Sequence, residues 1–167
     1  MWNLIKLYIG NKNAPKNKKS NLTRLPNNLQ FHNGISHLRK SIKIVSEIEN
    51  SLFSPNATAK ALICEEDGIA IGFAVYFYNY STWLGKNGIY LEYLYVNESK
   101  RGKGAGKAMI KYLAKKAISE NCGRFEWACL DWNTPSRDFY ESLGAVALNE
   151  WIGYRLEGKT LEKFANN

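Results

Sequence analysis

The segment Tyr90-Leu91-Glu92-Tyr93-Leu94-Tyr95-Val96 has the composition of a β-strand, and after four further residues comes Arg101-Gly102-Lys103-Gly104-Ala105-Gly106, then a helix-patterned run. A strand, a glycine turn and a helix start in that order place the start of a helix beside the end of a strand. Three glycines within five positions let the backbone approach a ligand closely, and the N–H groups of Gly104, Gly106 and their neighbours have no intrahelical acceptors. Such a helix start favours an anion.

Spacing narrows the choice of anion. A Walker A loop needs a glycine five residues before its Gly-Lys pair and a Ser or Thr after it, positions held here by Arg101 and Ala108. The dinucleotide fingerprint G-x-G-x-x-G needs an early strand and a third glycine one residue later than Gly106. The pattern that remains is R-x-x-G-x-G.

One domain with a sizeable core is expected from 167 residues of which 45% are apolar. No apolar run approaches the ~20 residues of a membrane span and no charged-then-apolar leader is present, so a cytoplasmic protein without a membrane partner is expected. Cys64, Cys122 and Cys129 are odd in number and lack CxxC spacing, which suggests neither a disulfide framework nor a zinc site. His32 and His37 read as surface residues, and no metal is expected. The net charge of +8 is unevenly placed: residues 1–46 hold nine Lys and Arg and no Asp or Glu, while residues 47–167 hold fourteen basic and fifteen acidic side chains, a balance of −1. The chain therefore divides into an atypical basic segment, 1–46, and a domain of ordinary composition, 47–167. A basic arm can serve nucleic acid or a membrane, but this one has no stacking-aromatic or helix-turn-helix pattern, so no nucleic-acid partner is expected.

Along the domain, residues 61–65 read as a short strand, Asp67-Gly68 as a turn and residues 69–80 as a long strand, together a hairpin. Residues 81–88 read as a turn region and 89–96 as the strand entering the glycine loop. A helix is expected from about Gly106 to Asn121, with Met109, Ile110, Leu113, Ala117 and Ile118 as its core stripe and Gly123 at the C′ position. Residues 124–130 read as a further strand. Thr134 as N-cap and Pro135 at the first helical position predict a second helix to about Leu143, ended by Gly144. Residues 145–156 read as a terminal pair of strands, with a short helical tail around residues 161–164, while residues 1–9 read as a helix or a strand.

This order of elements, with R-x-x-G-x-G, resembles the Gcn5-related N-acetyltransferase (GNAT) superfamily. Further motifs extend the resemblance: Asn79-Tyr80-Ser81-Thr82-Trp83-Leu84-Gly85-Lys86, Tyr90-Leu91-Glu92, Leu130-Asp131-Trp132-Asn133, Phe139-Tyr140 through Gly144-Ala145, and Trp151 through Tyr154-Arg155-Leu156. They are similar to the branch containing spermidine/spermine and thialysine N-acetyltransferases, over roughly residues 48–165. The resemblance implies an α/β fold with a mixed, mostly antiparallel central sheet flanked by helices, acetyl-CoA as cosubstrate, a small-molecule amine as acceptor, and a homodimer.

Acetyl transfer to an amine poses two protonation problems. An ammonium with a pKa near ~10.4 is almost wholly charged at pH 7, a handicap of roughly 4–5 kcal/mol, and a departing thiolate with a pKa of about 8.5 needs stabilisation. Glu92, a carboxylate within an apolar strand, is the candidate for taking the ammonium proton, and the resemblance assigns it to acceptor binding and deprotonation, the alternative being a strand residue paired with a Lys or Arg. The branch has an aspartate at the next position and this chain has Tyr93; by strand alternation residues 92 and 93 face opposite sides unless a bulge intervenes. The resemblance gives Tyr140 the role of donor to the departing sulfur, against the alternative of packing beside Phe139. It places the pantetheine arm on the backbone of Leu94, Tyr95 and Val96, as in strand addition. The pyrophosphate falls on Arg101, Gly102, Lys103, Gly104, Ala105, Gly106 and Lys107, and the lower end of CoA near Asn133 and Ser136. Trp83, Glu150 and Trp151 fall on the acceptor side, with core packing the other reading for the tryptophans. Three functions stay open: an N-acetyltransferase for a polyamine, diamine or lysine-like amino acid, a CoA-binding but catalytically impaired relative, and a nucleic-acid-binding protein driven by the basic segment.

Overall fold

Asp67 and Gly68 both have positive φ, +52° and +78°, the two-residue turn whose twist matches the flanking strands. It joins β2 (Ala59–Glu66) to β3 (Ile69–Ser81) with Glu66 opposite Ile69. The computed structural model describes residues 5–9, 51–52 and 56–167, the first of these as backbone alone. Expectations for the rest of the basic segment, including His32 and His37, lie outside the described residues.

Two compact units make up the chain, Met1–Ala128 and Cys129–Asn167. In the first, β1 (Ile5–Ile9) pairs antiparallel with β2, β3 pairs antiparallel with β4 (Lys86–Val96), and β5 (Arg124–Trp127) lies parallel to β4. The order β1-β2-β3-β4-β5 is the mixed, mostly antiparallel sheet that was expected. Helix α1 (Ala105–Ser119) makes the crossover from β4 to β5 and lays Ala105, Met109, Ile110, Leu113 and Ala117 into the core with Leu62, Cys64, Ala74, Tyr76, Ile89 and Leu91. Each large side chain buried this way contributes roughly 1.5–3 kcal/mol relative to exposure. Ile118, assigned to the stripe, is 80% exposed, because one residue past Ala117 turns it about 100° away from the buried face.

Several boundaries differ from expectation for physical reasons. β4 begins at Lys86 and the turn is confined to residues 82–85, so Gly88 is a strand residue. Helix α1 ends in a Schellman arrangement in which Cys122 N–H donates to Ala117 O at 2.8 Å and Asn121 N–H to Ile118 O at 3.1 Å. Asn121 therefore takes the left-handed C′ position, φ +54°, in place of Gly123. Gly123 is small for another reason: a Cβ there would lie 2.8 Å from Leu84 Cδ1 of the β3–β4 hairpin. The strand expected over residues 124–130 stops at Trp127, where its partner strand changes register.

In the second unit, α2 (Thr134–Glu141) is capped by Asn133, whose Oδ1 accepts from Ser136 N–H at 3.3 Å. The cap is thus one residue earlier than the expected Thr134, and Pro135 falls in the first turn, where its missing N–H costs nothing. The helix ends two residues before Leu143, and Gly144 follows with φ +87°. Residues 145–156 form no strand, contrary to expectation: the two halves of the expected pair make no ladder with each other, and an isolated two-stranded pair is marginal at best. A last helix, α3 (Gly158–Ala165), contains the expected helical tail.

Candidate active site

The register of β3 against β4 breaks where the strand carries its only carboxylate. Val75 stands opposite Tyr93 and Tyr76 opposite Leu91, which leaves Glu92 as an extra residue on β4. Cross-strand partners share a face, so Leu91 and Tyr93 turn to opposite faces of the sheet, and Glu92 is set out between them and exposed. The bulge is the exception to alternation that decides the Glu92–Tyr93 relationship. Tyr93 stacks on Phe73 with ring centroids 5.5 Å apart and packs against the cluster of Ile63 and Phe73. Among the described residues no ion pair holds Glu92.

On its other edge β4 is paired with β5 only from Gly88↔Arg124 to Leu91↔Trp127. Beyond Leu91, β4 runs on through Leu94, Tyr95 and Val96 with no strand beside it on that edge among the described residues. An extended ligand with amide groups can lie along such an edge as an added strand.

The loop that follows is held shut by local contacts. Asn97 Oδ1 accepts from Ser99 N–H at 3.1 Å and caps a single 3₁₀ turn, Glu98–Lys100. Lys100 Nζ meets Glu66 Oε2 at 2.5 Å, tying the loop to the β2–β3 hairpin. That contact and the charge of Lys103 hold the Glu66 carboxyl below its usual pKa. The Arg101 side chain turns back, donating from Nε to Val96 O at 3.0 Å with Nη1 3.5 Å from Glu98 Oε1, so it braces the loop as well as adding charge. Gly102 and Gly104 both adopt positive φ, +73° and +86°. Gly104 is the N-cap of α1 and offers no side-chain cap; its carbonyl accepts from Ala108 N–H at 2.9 Å. The first amides of the helix, from Ala105, Gly106 and Lys107, precede that first intrahelical bond. Ala105 is buried, while Lys103 and Lys107 are exposed beside the loop.

The remaining candidates belong to the second unit or to the hairpin tip. Tyr140 lies on α2, partly buried, with its ring centroid 5.3 Å from that of Phe139. Burial, and to a lesser degree Cys129, push its phenol pKa up, so its O–H stays protonated at neutral pH. Asn133 and Ser136 meet each other through the helix cap. Trp83 at the β3–β4 turn is 91% exposed, and Trp151 with Glu150 is exposed in the second unit, so neither tryptophan is a core residue. Sequence reasoning missed a polar group on the sheet: Asn79 Nδ2 donates to Glu126 Oε1 at 2.9 Å, and Arg124 Nε is 2.8 Å from Glu126 Oε2. The sequence hid it, because Gly88 follows Gly85-Lys86-Asn87 and reads there as the end of a turn.

The sequence profile of the Acetyltransferase (GNAT) family matches residues 32–145. A thialysine N-epsilon-acetyltransferase from Sus scrofa is 42% identical over 98 residues, covering 57% of this chain and 57% of that protein. An L-ornithine N5-acetyltransferase from Arabidopsis thaliana is 40% identical over 96 residues, covering 58% of this chain and 42% of its own length. The chain thus spans about half the length of these curated relatives, 57% of one and 42% of the other. Among solved structures, an integron cassette protein from the mobile metagenome of V. cholerae superposes with a TM-score of 0.79 at 26% identity, over 98% of each chain. An aminoglycoside acetyltransferase from a soil metagenomic sample superposes at 0.70 with 17% identity, over 93% of this chain and 97% of its own, a likeness of fold.

Proposed function

The chain belongs to the Acetyltransferase (GNAT) family, and from that premise we propose that it is an acetyl-CoA-dependent N-acetyltransferase. The acetyl group passes by direct attack of a primary amine on a small molecule: a polyamine, a diamine or a lysine-like amino acid. The observation that carries the reading is the left-handed backbone at Gly102 and Gly104 opening a helix start directly after β4.

The residues fit the CoA group. Left-handed residues in a turn can gather amides into an anion cradle, a conformation that Gly102 and Gly104 adopt, and the helix start adds partial positive charge. Arg101, Gly102, Lys103, Gly104, Ala105, Gly106 and Lys107 would hold the pyrophosphate, and Leu94, Tyr95 and Val96 the pantetheine amides. From the resemblance, Asn133 and Ser136 would stand near the lower end of CoA. Acetyl-CoA, when bound, supplies an activated acyl group and a thiolate leaving group.

Glu92 is the group that takes the ammonium proton, through water, since the bulge sets its carboxylate out from the sheet into solvent. Tyr140 is the proton donor, a role suited to a phenol that burial keeps protonated. Trp83, Glu150 and Trp151 are assigned to the amine side. Tyr93, which packs on Phe73 where the resembled branch has a second carboxylate, favours an acceptor with fewer positive charges than a long polyamine. The relatives named for thialysine and ornithine support an amino-acid side-chain amine. A cytoplasmic homodimer completes the proposal.

Incubating the full chain with acetyl-CoA and a panel of ornithine, lysine, thialysine, diamines and polyamines, while following CoA release, tests it. Turnover with an amino-acid side-chain amine or a diamine is expected. Acetyl-CoA binding without turnover on any amine would overturn the enzymatic reading and leave a CoA-binding relative.

A further inference from the structure

We infer that Asn79, Arg124 and Glu126 form a clasp across β4 that fixes where β4 and β5 part, making them positioning residues for the strand edge assigned to pantetheine. The inference rests on the acetyl-CoA reading above. Asn79 on β3 stands opposite Gly88 on β4, and Gly88 stands opposite Arg124 on β5, so the three form one row across the sheet. Because Gly88 has no side chain, Asn79 and Arg124 close over it: a Cβ there would collide with Asn79 Oδ1 and lie 2.8 Å from Arg124 Cγ. Glu126, two residues along β5 from Arg124, projects to the same face. Its carboxylate accepts from Asn79 Nδ2 at 2.9 Å and faces Arg124 Nε at 2.8 Å, while Arg124 Nη2 donates to Tyr80 O at 3.3 Å. Strands β3 and β5, which are not neighbours in the sheet, are thereby tied over the strand between them.

The tie matters because the ladder it guards is short. Only four residue pairs, Gly88↔Arg124 to Leu91↔Trp127, join β5 to β4, and parallel pairing is the less stable kind per residue. A slip of one residue would move the end of the ladder about 3.3 Å along β4 and turn every side chain of β5 to the other face. The clasp sits at the first pair of this ladder, and the ladder ends immediately before the bulged Glu92. Holding the start of β5 in register therefore fixes how much of β4, from Glu92 to Val96, is left open for a ligand. The arrangement is kept although Asn79 Oδ1 and Arg124 Nε are both buried without a hydrogen-bond partner, the 2.8 Å approach of Nε to Glu126 being an ion-pair contact alone.

The test measures acetyl-CoA affinity by calorimetry and amine KM by turnover on the full chain, for Asn79→Ala, Glu126→Gln and the double variant, with thermal melts of each. Each single change is expected to weaken acetyl-CoA by about tenfold, and the double variant by no more than the worse single, the non-additivity of one coupled device. Amine KM stays within about twofold, because a shifted cofactor edge leaves uniform amine binding in place. Gly88→Ala gives the same pattern, and Glu126→Gln, which keeps size and shape, decides the matter if Gly88→Ala does not fold. A folded Glu126→Gln with wild-type acetyl-CoA affinity, whatever its melting temperature, overturns the clasp, as do additive losses in the double variant. A wild-type chain that binds no acetyl-CoA overturns the cofactor reading and the clasp together.

Discussion

Met1–Ala128 and Cys129–Asn167 treat similar side chains in different ways. In the first unit Leu62, Tyr76, Ile89, Met109 and Leu113 are wholly buried, whereas in the second neither helix has a buried residue and Trp132, Trp151, Ile152 and Tyr154 are 69–92% exposed. The difference lies in what each pattern requires. The stripe of α1 is local, and the sheet that covers it belongs to the same unit. Val146, Leu148, Ile152, Tyr154 and Leu156 recur at even positions, a period that makes a face only in a strand, and a strand needs a neighbour that the second unit does not supply. The glycine turn and the open β4 edge thus lie in the packed first unit, while Tyr140, the proposed proton donor, lies in the second.

The division of labour is tested most severely at Tyr140. Tyr140→Phe should lower kcat by about 10²–10⁴-fold while acetyl-CoA affinity stays within about twofold, as measured by turnover and calorimetry. In the wild type, alkaline loss of activity should come only above the ordinary phenol range of about 10, because burial raises this phenol. Parallel losses of turnover and affinity would make Tyr140 a structural residue.

Packing gives the next largest contrast. Leu113→Ala should cost about 2–5 kcal/mol in a denaturant titration, whereas Ile152→Ala should stay within about 0.5 kcal/mol. Similar costs would erase the difference between the units. Glu92→Gln should reduce kcat/KM by about 10²-fold, most at low pH where free amine is scarce, with acetyl-CoA affinity unchanged. The smallest effect is expected at Glu66, whose folded pKa is lowered by Lys100. Its contribution is fully present above the unfolded carboxylate pKa and lost as pH falls through the lower folded value. The urea midpoints of wild type and Glu66→Gln should therefore differ at pH 7 and converge in acid; a constant gap would contradict the Lys100 pairing.

Legibility followed the same division. Asp67-Gly68, the glycine loop and the α1 stripe depend on neighbours close in sequence, so their chemistry could be read residue by residue. The extra residue at Glu92 could not, because a bulge is a mismatch between two strands and only the pairing with Val75 and Tyr76 reveals it. Gly88 looked like part of a turn for the same reason: its partners, Asn79 and Arg124, lie nine residues before it and thirty-six after it. The Thr134 cap was misplaced by one residue because Asn133 and Thr134 are both competent caps and only geometry separates them. Strand propensity over residues 145–156 was real, but propensity does not supply a partner.

The most direct measurement is a calorimetric titration of the full chain with acetyl-CoA, beside Gly104→Val, which forces a β-branched residue into the left-handed N-cap position at φ +86°. Saturable binding by the wild type, weakened at least about tenfold in a folded Gly104→Val, is the expected result. No binding by the wild type, or equal binding by both, would contradict the assignment of the glycine turn to the CoA pyrophosphate.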